Sequence, residues 1–484
     1  MCYYNNTRKN KSIKKFKTAE NERQRMKKLI TLLFMLFLLC PQAGFCKAAK
    51  EPADYKKQYI NLEWWERYND PVLSGHVQTL YQKNHDLKIA ALRVKEGEKL
   101  VKISFANELP ELSFNGSLAR NLKSSNLQFG NMMIPSFKQS ELQLPLTMSY
   151  EVDIWGMNRF RTKSVEKQLA MIQQDERATY IALTSAFAAE YFNLIRVDEL
   201  IRIQEQVVKI QEDIANKTQI KFENGLCTQN EVLNEQKALS YVKEELNNLK
   251  NQQSVLIHQL EVYLASEPGS GVDRAGFGAV KPLENIPSHF DSDVISNRPD
   301  FLRAENNIKR IGYDVKAARR DFLPKFVLYG QLGFNAYQFD KLFSHPAQMA
   351  AAGLLPQFDF FTGGRKMAIL KLKKYEYEEA VEKYQKTILT SFQELNDALI
   401  GAETAQKNYE DSLKRFEYEK NLLSLLEQKR RIGAAADLDV LYGTERELLV
   451  QKEEVINKIN LIISSINIYK AVGGEDLYKI VEHI

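Results

Sequence analysis

Apolar and polar residues alternate without a break along "SELQLPLTMSYEVDIW". Leu142, Leu144, Leu146, Met148, Tyr150, Val152 and Ile154 fall on one side, and Gln143, Thr147 and Ser149 on the other. Period two predicts a β-strand, because successive side chains leave opposite faces of the pleat. "ELSFNGSLA" repeats the pattern, with Leu112, Phe114 and Leu118 set against Ser113, Asn115 and Ser117. "KFVLYGQLGFN" and "GLLPQFDFF" alternate less cleanly. These four segments form two pairs, each joined by a polar and aromatic loop, 120–138 and 335–349.

The pattern elsewhere is helical. No Gly or Pro occurs between Met157 and Asn224, and only Gly401 between Arg365 and Ile432. Each stretch has 68 residues, so each predicts a helix about 100 Å long at 1.5 Å per residue. Both end at a glycine, Gly225 and Gly433, with Val232-Leu233 and Val440-Leu441 each seven residues on. Shorter helices are expected after these turns, and helices of roughly forty residues before the strands, around 72–108 and 289–322.

The two halves match. Asp86 and Asp300 are 214 residues apart, as are Pro110 and Pro324; Asp153 and Asp359 are 206 apart, and Gly225 and Gly433 are 208 apart. Four anchors in the same order predict an internal duplication, with a period far longer than a solenoid's. The expected boundaries are a first repeat at 72–267, a Gly- and Pro-rich connector at 268–288, a second repeat at 289–474 and a tail at 475–484.

Charge changes the picture only after the N-terminus is set aside. The net charge is +5, but residues 1–28 carry ten Lys/Arg and two acids, leaving the rest slightly acidic. That balance gives no support to a nucleic-acid partner. From Met26, two lysines precede the apolar run Leu29–Leu39, as in a secretory signal at 26–46. Residues 1–25 read as an upstream extension, and 47–71 as an extended N-terminal segment. Cys40 and Cys46 are lipidation candidates; "FLLC" and "AGFC" match the usual small-residue pattern poorly and do not choose between them. Cys227 alone lies in the body, so no intrachain disulfide framework is expected.

An exported chain with paired, two-faced strands fits an outer-membrane barrel, apolar towards lipid and polar towards water. A half-buried soluble sheet gives the same alternation. Four strands per chain cannot close a barrel, and a bilayer does not tolerate open sheet edges, so the chain is expected to oligomerise. Ser113, Asn115, Ser117, Gln143, Thr147 and Ser149 would then line the lumen. Asp153 and Asp359 sit where strand passes to helix and suit a helix N-terminus. Enzyme chemistry finds no support. His76, His85, His258, His289, His345 and His483 show no metal-ligand spacing, "FTGGRK" lacks the spacing of a phosphate loop, and no Ser/His/Asp set stands out. No cofactor is expected.

Taken together, "WWERYNDPVL", "SYEVDIWGMNR", "NRPDFLRAE", "FLPKF" and "IYKAVGG" resemble the outer-membrane efflux factor (TolC-like) family over roughly residues 60–474. The resemblance is to its lipoprotein branch, which serves resistance-nodulation-division pumps. It implies an α+β membrane protein: a homotrimer with a twelve-stranded β-barrel, four strands per chain, in the lipid of a Gram-negative outer membrane. A long α-helical barrel continues it into the periplasm. It also implies a passive exit duct docked to a periplasmic adaptor and an inner-membrane pump. Adaptor docking and closure fall to the periplasmic tip: Gly225, Leu226, Cys227, Thr228, Val232 and Leu233 in one turn, and Gly433, Ala434, Ala435, Ala436, Val440 and Leu441 in the other. Where many relatives carry an aspartate after "VL", this chain has Tyr442, so Tyr442 and Leu438 become the candidate constriction. Two other readings stay open: the exit duct of a type I protein secretion system, and a periplasmic coiled-coil scaffold or adaptor.

Overall fold

The computed structural model describes residues 64–123, 128–129, 132–133, 137–283, 290 and 292–474. The leader, with Cys40 and Cys46, and the tail 475–484 lie outside them. A 3-10 turn at Trp64–Tyr68 leads into α1 (Pro71–Lys83) and α2 (His85–Ala106). Then come β1 (Glu111–Phe114), β2 (Ser117–Lys123), a short β3 (Gln128–Phe129) and β4 (Met132–Met133) pair, and β5 (Phe137–Val152). The first long hairpin is α3 (Met157–Glu223) and α4 (Gln229–Tyr263). The second half runs α5 (Pro299–Arg320), β6 (Lys325–Ala336), β7 (Gln348–Gln357), α6 (Arg365–Arg431) and α7 (Asp437–Ala471). Among the described residues no helix is long and apolar enough to cross a membrane.

Equivalent helices in the two halves have equal lengths. α2 and α5 have 22 residues, α3 and α6 have 67, and α4 and α7 have 35. The long helices match the two 68-residue stretches almost residue for residue. α3 packs against α2 and α5 along one part of its length and against α4 and α7 along the rest, while α6 packs on α5 and α7.

Three expected elements differ. The forty-residue helix at 72–108 is two helices. At Asn84 the backbone leaves the helix (ψ 134°), the side-chain oxygen accepts from the N–H groups of Asp86 and Leu87, and Nδ2 donates to the Tyr263 carbonyl. An N-cap inside the helical pattern restarts the helix. The helix expected from 289 starts at Pro299, after a 3-10 turn at Ser292–Asn297. Proline disfavours helix in the residue before it and suits the first helical turn. In the fourth strand, β7 spans Gln348–Gln357 rather than "GLLPQFDFF", so Phe358–Phe361 lie beyond the sheet.

β1 and β2 both pair antiparallel with β5, which pairs with β6, and β6 with β7. β1 and β2 are one strand in an unchanged register, interrupted opposite Pro145. Asn115 donates its N–H to the Pro145 carbonyl at 3.3 Å, but Pro145 has none to return. On the other side Pro145 faces Gly333, where a Cβ would collide with the Leu144 and Pro145 backbone.

The main core lies midway along α3. Phe187, Tyr191, Phe192 and Ile195 are fully buried, with Leu73 and Leu80 of α1 and Leu260 of α4. Trp64 stacks on Tyr469 at 4.4 Å, and the Tyr68 hydroxyl lies 2.6 Å from Ser465 Oγ, fixing the N-terminal turn to α7. Asp70 caps α1 and accepts the Tyr191 hydroxyl at 2.7 Å. The connector is strapped to the same level. Arg274 pairs with Asp198, and the nearly buried Glu261 accepts the N–H groups of Gly269 and Gly271.

Candidate functional site

Both turns between the long and shorter helices are built alike. Gly225 (φ 74°) ends α3, its N–H donating to the Phe222 carbonyl and that of Leu226 to Lys221. Gly433 (φ 75°) ends α6 with the same pair, Gly433 to Arg430 and Ala434 to Lys429. This is a glycine stop in the left-handed region. After it, Thr228 and Glu231 form a reciprocal capping box. At the equivalent place Asp439 accepts the Ala436 N–H at 2.8 Å, but the Ala436 side chain has no oxygen to answer with. Asp437 binds Lys217 of α3 (3.0 Å) and Arg430 of α6 (2.6 Å), so one carboxylate joins the two hairpins. Those two hydrogen bonds hold it below the usual carboxylate range.

The remaining tip positions divide by burial. Val232 and Leu438 are buried within the protomer, Val440, Leu441, Ala435 and Cys227 are half-buried, and Leu226, Leu233, Thr228, Ala434 and Ala436 are exposed. The Cys227 thiol lies 3.4 Å from the Thr218 carbonyl. Tyr442 is half-buried, and its hydroxyl donates to Glu235 of α4 at 2.7 Å. Burial and that carboxylate push the phenol well above its ordinary range.

Behind the tip lies a polar layer that the sequence reading missed. Gln211 of α3 donates to Glu235 at 2.8 Å. One heptad along, the fully buried Gln204 accepts from Lys452 of α7 at 2.8 Å and donates to the Val242 carbonyl of α4. Lys452 also pairs with Glu245 at 2.5 Å. Glu445 lies near Glu235, and burial, then that like charge, raise its carboxyl above the ordinary range. Gln204, Gln211 and Thr218 recur at seven-residue spacing on one face of α3 and are all buried. That spacing was the available signal; in an otherwise polar helix it looked like solvated surface.

The sheet has two chemically distinct faces. Cross-strand partners share a face. One face carries Leu112 opposite Met148, Phe114 opposite Leu146 opposite Leu332, and Tyr150 opposite Leu328 opposite Leu354. Phe114, Leu118, Leu146, Leu332 and Leu354 are exposed there. The other carries Ser113 opposite Thr147 opposite Gln331, Ser117 opposite Gln143 opposite Asn335, and Ser149 opposite Glu111 and Tyr329. Ser113 and Thr147 hydroxyls lie 2.7 Å apart, and Asn115 donates to Ser113 at 3.4 Å. Val327 and Leu355, at the end nearest the helices, and Met349, at the other end, are apolar exceptions on this face.

At the strand-to-helix links, Asp153 accepts the Arg159 N–H at 3.0 Å, as an acid at a helix start should. Asp359 instead pairs with Lys366 at 3.1 Å. Two of the family-like motifs meet at Arg298. Its guanidinium binds Asp300, Glu394 and the Ala471 carbonyl at the end of α7, and Gly473 lies against its backbone.

A two-faced antiparallel sheet with open edges, running into two helices each about 100 Å long, is the form of an outer-membrane channel chain. The outer membrane efflux protein family profile matches residues 76–266 and 292–474, one match in each half, and the chain belongs to that family. It is 27% identical over 421 residues to a probable efflux pump outer membrane protein, TtgC, of Pseudomonas putida, covering 85% of this chain and 84% of that protein. It is 25% identical to the pyoverdine export outer membrane protein OpmQ of the same species, covering 90% and 92%. Its fold matches the CmeC outer membrane channel of Campylobacter jejuni with a TM-score of 0.79 at 23% identity, over 88% of this chain and 91% of that one.

Proposed function

We propose that three copies of this chain close a twelve-stranded barrel in the outer membrane and continue it as a helical tube through the periplasm. The assembly is a passive exit duct for small molecules, driven by an inner-membrane pump through a periplasmic adaptor. The supporting observation is the two-faced sheet. Its exposed leucines and phenylalanines suit acyl chains, while Ser113, Asn115, Ser117, Gln143, Thr147 and Ser149 suit a wet lumen. β6 has 12 residues; at 3.3 Å per residue and a tilt near 45° it rises about 28 Å, close to the apolar band of such barrels. A coiled-coil scaffold needs no such face. The names of TtgC and OpmQ, efflux and export proteins, favour small cargo over secreted protein.

In this reading the turns at Gly225 and Gly433 receive the adaptor, Leu438 and Tyr442 bound the constriction, and Cys40 or Cys46 carries a lipid. The test is reconstitution of the purified chain in planar bilayers with heat-modifiable migration in detergent. Discrete single-channel steps and an unheated band at three chain masses are expected. A water-soluble, non-conducting monomer would overturn the proposal.

A further inference from the structure

The two strand-to-helix links of the duplicated halves differ in length. Three residues separate Asp153 from Met157, the start of α3, but five separate Asp359 from Arg365, the start of α6. The first link is tethered: Trp155 donates its indole N–H to the Pro324 carbonyl at 2.7 Å. The longer link, "FDFFTGG", turns on Gly363 (φ 59°) and Gly364 (φ 82°) and lifts Phe360 and Phe361 into solvent, 90% and 89% exposed. Phe358 and Phe360 touch edge-on at 4.8 Å. Two side-by-side phenylalanines at that exposure are costly in water and require a cover.

The neighbouring surface indicates the cover. Ala350, Ala352, Leu354 and Pro356 lie on the apolar face of the sheet, and Phe358 and Phe360 continue that period past the end of β7. The link is thus continuous with the lipid-facing surface. The unpaired charges beside it, among the described residues, have one sign. Asp321 and Asp359 are occupied by Lys325 and Lys366. Arg319, Arg320 and Arg365 are exposed and, among the described residues, have no ion-pair partner. Aromatic rings flanked by free cations suit the headgroup layer of an anionic bilayer.

We propose that the Phe358–Gly364 link is a lipid-docking foot. Phe360 and Phe361 insert at the acyl boundary of the inner leaflet, and Arg319, Arg320 and Arg365 bind anionic phospholipid headgroups. The proposal rests on the barrel reading above and gives each protomer a membrane hold independent of any acylated cysteine.

The experiment adds one tryptophan at a time to the full chain in a Trp155→Phe background, whose own emission, from the buried Trp64 and Trp65, is subtracted. Phe360→Trp tests the foot and Leu328→Trp, mid-face on β6, tests the barrel. Vesicles contain phosphatidylcholine brominated near the headgroup end of its chains, with or without phosphatidylglycerol. Blue-shifted, bromine-quenched emission from both tryptophans supports the foot. Quenching of Leu328→Trp with red, unquenched Phe360→Trp emission overturns the foot and leaves the barrel standing. Quenching of neither overturns both. Phosphatidylglycerol should deepen the Phe360→Trp quenching, and Arg319→Gln/Arg320→Gln/Arg365→Gln should abolish that increment. Equal quenching in neutral and anionic vesicles overturns the headgroup part.

Discussion

Glu445, behind the turn at Gly433, is a carboxyl whose protonation is linked to the fold. Burial and the Glu235 carboxylate raise its pKa, with Arg446 opposing them. A carboxyl whose folded pKa lies above its unfolded value stabilises the fold when protonated, and that stability is lost as pH rises through the folded value. The hairpin ends should therefore loosen as pH rises from the ordinary carboxylate range through that raised value. Glu445→Gln keeps the shape and removes the charge; thermal melts at several pH values should show higher stability at the alkaline end and a flatter profile. Asp300 works with the opposite sign. Burial pushes it up, but the Arg298 hydrogen bonds outweigh that and its pKa is lowered. Its contribution is complete above the ordinary carboxylate range and lost as acid takes the pH down through the depressed value. Arg298→Gln should remove that acid sensitivity and cost about 1.5–3 kcal/mol in denaturant titration, since it breaks charge-assisted bonds and leaves the Ala471 carbonyl unanswered. Tyr442→Ala tests the constriction: a rise in leak current through the reconstituted duct is expected, and an unchanged current counts against it.

At the scale of the element, the turns at Gly225 and Gly433 depend on backbone alone. A Cβ at either position meets nothing within 4 Å, so only the positive φ resists substitution. Alanine there should cost about 1–2 kcal/mol. The cost stays local, so amide exchange at Leu226 and Ala434 should quicken about tenfold while the Tyr191 core keeps its protection. Unchanged exchange would mean these turns carry no strain. These elements were legible because each rests on a one-dimensional signal: a helix of 67 residues declares itself by a stretch with no Pro and at most one Gly, and β5 by strict alternation. What stayed hidden was decided by contacts across the fold. The helix break at Asn84 depends on capping and on the Tyr263 carbonyl, and the gap between β1 and β2 on a proline in the neighbouring strand. β7 stops before "FDFF" although the hydrophobic pattern continues, because the chain must turn on Gly363 and Gly364 to enter α6. The polar layer of Gln204, Gln211 and Lys452 was invisible for a related reason: residue type alone placed it outside, and only the packing of three helices puts it inside.

For the whole molecule, the surface left uncovered decides the oligomer. α6 has 67 residues, yet those it buries are Ala380, Ser391, Leu395, Ala402 and Ser412, small apart from one leucine. Its large apolar side chains point away: Tyr375 is 66% exposed, Leu389 71%, Ile400 63%, Tyr418 63% and Leu425 52%. At 100° per residue these five fall within about 40° of one another on the helix. A single stripe runs along most of α6, which no element of the same protomer covers. α2 shows a shorter one, with Ile89, Leu92 and Ile103 exposed. A continuous stripe on a long helix is the seam for another helix, and in a closed ring each protomer offers the same seam to the next. Charges placed mid-seam should therefore separate the protomers without unfolding them, because Leu389 and Ile400 contribute little to the protomer's own core. Leu389→Glu/Ile400→Glu is expected to lower the mass in light scattering about threefold with unchanged helical circular dichroism, and to abolish channel steps. An unchanged mass would assign the seam to a partner other than a second copy of this chain, and the ring would have to close through the open edges of β1, β2 and β7 instead.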